Sequence, residues 1–299
     1  MLFTHDLLSR GTSEPEMRRL RREASKIRHG VYATDVHGDW QLFEMQCEAT
    51  LRCLKAGTAL AGPAAAHHWG LPLIGEPPRE VHVRGVARGR YSATVRVVSG
   101  GDPALVDDRG VRVTSVAWTV ADCARVLPRR EALVVADAAL HRKLCTLADL
   151  RAVAAAMGSA KGIGRVRWII ANADPASESA GETWMRMVVR DLGYEVVSQH
   201  QVTAGDYRHR LDLLLAGTTL GLEFDGLIKY DTDRTEEIVA EEVLEEKRRQ
   251  ARIEAIGYGI LRVIWEQLFD PATLDRRIRF ALHGRVPRRA RPPQVPPNW

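Results

Sequence analysis

Between Arg210 and Gly226 the chain is strongly apolar, and acids interrupt it at Asp212, Glu223 and Asp225. Two leucine-rich runs flank Ala216-Gly217-Thr218-Thr219, the pattern of a β-hairpin. Alternation along the second run assigns Leu220, Leu222 and Phe224 to one face and Gly221, Glu223 and Asp225 to the other. Asp212 lies eleven residues before Glu223, so a hairpin lets the acids converge. Like charges held this closely demand a cation or a shared proton. Oxygen donors without His or Cys favour Mg2+ or Mn2+ over zinc. Lys229, three residues after Gly226, is placed to reach a phosphate or assist a water. Plainer readings stay open beside these. Asp225-Gly226 also reads as a strand-end turn, Asp212 as an ion-pair partner of Arg210 or Arg262, and Glu182 as a solvated helix acid.

Around the hairpin, the pattern predicts helices over 180–192, 236–256 and 271–282 and strands over 195–201, 210–215, 220–225 and 258–263. Strands framed by long helices imply an αβ sandwich. An acid, a loop, then an acid ahead of a lysine resembles the PD-(D/E)XK nuclease superfamily. Glu223 to Tyr230 is similar to its branch related to very-short-patch-repair endonucleases. The resemblance runs from Ser177 to Arg262 and includes Glu245 to Arg249 and Gly257-Tyr258. It implies a restriction-endonuclease-like fold, a Mg2+ or Mn2+ cofactor on Asp212 and Glu223, and Glu182 as an extra acid. It also implies Lys229 as a charge-stabilising group, and DNA products with 5′-phosphate and 3′-hydroxyl ends. Asp225 departs from the pattern, since it stands where the family carries a lysine; Lys229 or Lys247 is the expected substitute.

At the other end, Thr12-Ser13 followed by Glu16 resembles a capping box, and Met17 to Ile27 reads as a basic helix before a short β-type run at Val31-Tyr32-Ala33. Helix then strand suits a winged helix-turn-helix, with Arg18, Arg19, Arg21, Arg22, Lys26 and Arg28 as expected nucleic-acid contacts. Residues 41–56 and 59–69 read as helices, Val81 to Val83 and Val95 to Val98 as strands, and 115–127, 128–139 and 146–157 as helices. Arg21 to Tyr32, Ala59 to Leu71 and Val113 to Asp122 resemble AbiEi-like antitoxins of type IV toxin-antitoxin systems. That likeness implies DNA binding and a cognate toxin as possible partner. His67-His68 is expected to be a packed or surface pair, because adjacent helical side chains diverge by about 100°.

At 299 residues and 45% hydrophobic, the chain has material for about two domains. The expected division is a winged-helix-like segment 1–40, an α/β module 41–157, a linker 158–176, a nuclease-like domain 177–283 and a disordered basic Pro/Arg tail 284–299. The net charge of +5 is concentrated at the ends: +3 in residues 1–32 and +4 in 284–299, leaving the middle at −2. Phosphate backbones attract such patches, with Lys247 and Arg249 as further candidate contacts, although basic ends also serve solubility alone. No run has the length and apolarity of a signal peptide or membrane span, so the expected location is the cytoplasm, without a membrane partner. The four cysteines form no CxxC pair and are expected to be reduced, mostly buried thiols. Taken together, these residues predict a DNA-binding protein with a divalent-metal-dependent endonuclease domain. A non-catalytic DNA-binding regulator or antitoxin is the alternative, and the patterns leave the oligomeric state open.

Overall fold

The computed structural model describes residues 1–54, 56–85, 94–204, 207–226 and 248–283. Chain contacts divide it into two units, Met1–Ala173 and Asp174–Trp299, each a mixture of helices and sheets. The fold class is α+β. No helix among the described residues is long and apolar enough to cross a membrane.

The first unit begins β1 (Leu2–Phe3), α1 (Thr4–Ser9), α2 (Glu14–Glu23), β2 (Ser25–Arg28) and β3 (Val31–Ala33). Its three strands form an antiparallel sheet in the order β1-β3-β2. Ser13 caps α2: its backbone N–H donates to Glu16 Oε2 at 2.9 Å and its hydroxyl lies 2.8 Å from the same oxygen. The basic helix expected to run to Ile27 stops at Glu23, where Ala24 turns extended. Tertiary packing overrides helix propensity here, because Ile27 buries its side chain against Val31, Ala33 and Ala49 only from a strand. Lys26 and Arg28 therefore sit on β2 rather than on the helix.

Ala49 belongs to α3 (Asp39–Cys53), whose Phe43 and Cys47 pack into the neighbouring core with Leu60, Val81, Val83 and Val113. One helix thus serves both clusters, and the expected boundary at residue 40 is not a break in packing. That core covers a five-stranded sheet, order β6-β5-β4-β8-β7, from β4 (Ala59–Leu60), β5 (Val81–Arg84), β6 (Val95–Val97), β7 (Leu105–Asp108) and β8 (Val111–Thr114). The expected helix over 59–69 begins as β4 and becomes α4 (Gly62–His68) only after Ala61. Helices α5 (Val116–Val126), α6 (Arg129–His141), α7 (Leu147–Met157) and α8 (Ile163–Asn172) complete the unit. The capping box at Thr146 and Asp149 forms. The linker expected over 158–176 is largely α8 instead: Gly158 and Gly162 make turns at positive φ, and Val166 and Ile169 are buried. Cys47, Cys123 and Cys145 are buried, Cys53 is exposed, and all four are free thiols.

Inside this unit Arg84 of β5 and Asp122 of α5 form a two-pronged ion pair, Nε to Oδ2 at 2.7 Å and Nη2 to Oδ1 at 2.6 Å, with side chains 3% and 0% exposed. Arg84 also donates to the Gly100 carbonyl and lies 5.1 Å over the Trp118 ring. Arg125 continues the network to Asp122 and to the carbonyls of Ser99 and Lys161. Sheet, helix and two loops thereby meet on one carboxylate.

The second unit runs α9 (Ala180–Asp191), β9 (Val196–Ala204), β10 (Tyr207–Leu215), β11 (Leu220–Phe224), a helix α10 described over 248–255, β12 (Gly259–Val263), α11 (Trp265–Leu268) and α12 (Pro271–Leu282). The hairpin forms as expected. Its strands lie in a sheet of order β12-β11-β10-β9, antiparallel except for the parallel pair β11 and β12. The consecutive residues Leu213, Leu214 and Leu215 are all buried, as are Leu211, Leu220 and Leu222, so both faces of the sheet are covered. Gly181 lets α9 close onto the hairpin: a Cβ there would come within 1.9 Å of the Phe224 ring.

Replacing Asp122 with Asn should destabilise the first unit by about 3–5 kcal/mol, because it strands a buried guanidinium. In urea unfolding followed by circular dichroism, the double variant R84M/D122L should recover much of that loss. An unchanged midpoint for D122N would show that the pair is not structural.

Candidate functional site

The register Leu213↔Leu222 and Leu214↔Gly221 sets Asp212 of β10 beside Glu223 of β11. Asp212 Oδ2 accepts the Phe224 N–H at 2.8 Å. Glu223 is buried, and both its oxygens are engaged. Oε1 lies 2.7 Å from His209 Nε2, and Oε2 accepts from Arg249 Nη2 at 3.0 Å. An ionised carboxylate only accepts, so the imidazole bonded to it carries its proton on Nε2.

Asp212, Glu223 and Arg249 line a cleft of about 280 Å³ together with Arg210, Phe224, Asp225 and Arg262. It opens where the parallel strands β11 and β12 end; there the Asp225 N–H donates to the Val263 carbonyl. Arg262 is the parallel neighbour of Glu223 in the register. Arg210 is ion-paired with Glu178 at 2.6 Å, so the plain Arg210–Asp212 pair gives way to a different acid.

Glu182 stands next to the cleft rather than in its lining. As the third residue of α9 it is buried, and its Oε2 accepts from Gln199 Nε2 at 2.7 Å and from the Glu178 N–H at 3.0 Å. Gln199 occupies β9 opposite Asp212 with φ +53, a left-handed conformation uncommon outside glycine. The charge of Glu182 nevertheless reaches Asp212. Burial, first, and then the carboxylates of Glu182, Glu223 and Glu178 push the Asp212 carboxyl up to about 6, against the opposing bond from the Phe224 N–H.

Among the expected site residues, the fold thus gathers Asp212, Glu223, Asp225 and Arg249 into one cleft and puts Glu182 behind it. Lys229 and Lys247 lie outside the described residues, as do the tail 284–299 and most of the helix expected over 236–256. His209 escaped the sequence reading. Its signal was a histidine two positions before Leu211 on an otherwise apolar strand face, a weak one without knowledge of the hairpin register.

The donor set fits a hard divalent cation. Asp212 and Glu223 offer oxygen alone, and the crowd of acids around Asp212 leaves negative charge for a cation to offset. No third His, Cys, Asp or Glu among the described residues joins them in a protein-only cage; Mg2+ asks for one or two carboxylates.

In the first unit, Arg18, Arg19, Arg21 and Arg22 are exposed on α2, which is anchored by buried Met17. Arg18 lies 3.6 Å from Glu14 and Arg19 2.9 Å from Glu23. Lys26 is exposed on β2, whereas Arg28 is half-buried and donates weakly to the Ala49 carbonyl at 3.4 Å. His67 and His68 diverge as expected, although the fold supplies each with an acid: Glu44 at 2.9 Å for His67, which also stacks on Trp40, and Asp108 at 2.9 Å for His68.

No protein-family model matches the chain. Two uncharacterized proteins of Mycobacterium tuberculosis, MT2308 from strain CDC 1551 and Rv2248 from strain H37Rv, are each 28% identical to it over 172 residues. The matched stretch spans 56% of this chain and 61% of each relative. Among solved structures, the crystal structure of the RV2827C protein from M. tuberculosis is similar at a TM-score of 0.39 and 16% identity, covering 68% of this chain and 83% of that one. None of the three names states an activity.

The raised Asp212 carboxyl has a consequence for stability. Its folded value of about 6 exceeds the ordinary value of 3.8, so the folded state holds its proton more tightly, and stability falls as pH rises from about 4 through about 6. Asp212→Asn should abolish that fall. In melts run with chelator, it should stand above the unsubstituted protein at pH 8 by on the order of 1 kcal/mol, after discounting for solvent screening of a partly exposed group.

Proposed function

We propose that the chain is a cytoplasmic DNA-binding protein whose second unit hydrolyses phosphodiester bonds with a Mg2+ or Mn2+ ion held by Asp212 and Glu223. The observation that supports this reading is the adjacency of those two carboxylates across β10 and β11, in a cleft that also presents Arg249 and Arg262. Bound there, the cation would supply Lewis-acid polarisation of a phosphoryl oxygen. The chain's own residues do the rest. Glu182 raises the negative potential at Asp212, and the cleft arginines offer positive charge to the phosphate. In the reaction a water oxygen bonds to phosphorus and gives up a proton, the bond from phosphorus to O3′ breaks, and O3′ takes up a proton, leaving 5′-phosphate and 3′-hydroxyl ends.

The first unit supports the DNA side of the proposal. A short helix, a turn at Gly11, an exposed arginine-bearing helix and a β-hairpin follow one another in the order a winged helix-turn-helix requires. Helix α2 would then enter a groove, with Arg21 and Arg22 reaching phosphates.

A non-catalytic regulator of the antitoxin kind is the second reading. Two observations favour it: Asp225 occupies the position of the family's lysine, and Glu223 is already balanced by His209 and Arg249.

Incubating the purified protein with plasmid, single-stranded and mismatched DNA in Mg2+ or Mn2+ decides between them. Nuclease activity should fall about 10²-fold or more in Asp212→Asn and in Glu223→Gln, reflecting the loss of several kcal/mol of charge stabilisation. Cleavage that survives both substitutions would remove the assigned site, and promoter binding without cleavage by any form would establish the regulator. Separately, R21A/R22A should lower the slope of log affinity against log salt by about 0.9 for each phosphate contact removed.

A further inference from the structure

Glu223 reaches its charge balance through a residue from a distant part of the chain. Arg249 lies on α10, twenty-six positions after Glu223, and its Nη2 sits 3.0 Å from Oε2. His209 holds the other oxygen at 2.7 Å. Arg249 is one-third exposed and lines the same cleft as Asp212, Asp225 and Arg262, so its guanidinium borders both the carboxylate and the open space beside it. A guanidinium forks onto carboxylate and phosphate with the same planar donor geometry.

We propose that Arg249 and a divalent cation are alternative partners of Glu223 Oε2, and that metal loading transfers the Arg249 guanidinium from the carboxylate to a phosphate of the DNA. This rests on the metal-site reading above and deepens it. Arg249 keeps Glu223 neutralised in the metal-free protein, and it becomes the positive group that the family pattern assigns to a lysine where this chain has Asp225. The exchange adds one positive charge at Oε2, which the neighbouring Asp212 carboxylate offsets. A cation arrives as a guanidinium leaves, and the incoming phosphate supplies the anion that the guanidinium would otherwise lack.

Binding of Mn2+ to the full-length protein, followed by loss of the free-ion paramagnetic resonance signal, reads the competition without requiring activity. A competitor on Glu223 in about nine molecules of ten weakens apparent metal affinity roughly tenfold. Arg249→Gln should therefore bind Mn2+ about tenfold more tightly than the unsubstituted protein. Arg249→Lys, which keeps a charge without the fork, should fall between them and decides the matter should the glutamine variant fail to fold. On a phosphorothioate duplex that resists cleavage, Mn2+ should raise the affinity of the unsubstituted protein and leave that of Arg249→Gln unchanged. Mn2+ binding that Asp212→Asn abolishes but that both Arg249 variants leave unaltered would overturn the exchange and spare the metal site. Absence of Mn2+ binding in every form would overturn both.

Discussion

Setting Asp212 and Glu223 side by side at the end of a buried hairpin obliges the surrounding chain to find positive charge for them. Glu223 is nearly enclosed, so water screens it little. The structure meets the demand unequally. Among the described residues, Glu223 receives an imidazole and a guanidinium, whereas Asp212 accepts a main-chain N–H and stands among other acids. That asymmetry divides the two carboxylates chemically. Glu223 is satisfied by the protein itself, and Asp212 retains a tendency to hold a proton that a divalent cation would displace.

The first unit solves a similar problem to a different end. Asp122 is fully enclosed, and its fork with Arg84, the contact from Arg125 and the carbonyls those arginines bind leave no open space at the carboxylate for a ligand. A buried charge with every donor and acceptor engaged holds loops and sheet in register. The cleft of the second unit has the same residue types with room left over. Accessibility, more than composition, distinguishes a structural ion pair from a candidate site.

Much of this was legible in the residues alone. The 3.6 and 2.0 periodicities located α9, β9, β10, β11, β12 and α12 within a few positions, because the apolar residues that each element buries recur with its own period. The capping box at Ser13 and Glu16 is a local hydrogen-bond pattern and formed as read. Errors arose where distant contacts competed with local preference. Ile27 left its helix for a strand to reach Val31 and Ala49, Ala59 and Leu60 paired into a sheet, and residues 163–172 coiled into α8 because Val166 and Ile169 found a core to enter.

The sequence by itself determined the hairpin, its two leucine-rich strands and the three acids upon it, since a strand's period of two and a short loop suffice to bring Asp212 near Glu223. Only the tertiary structure decided what those acids meet. His209 and Arg249 reach Glu223 through strand register and through a helix twenty-six residues away, while Glu182 is drawn behind the cleft by Gln199. Such pairings depend on long-range closure of the chain, which no local spacing encodes, and they determine whether a carboxylate is already balanced or still able to bind.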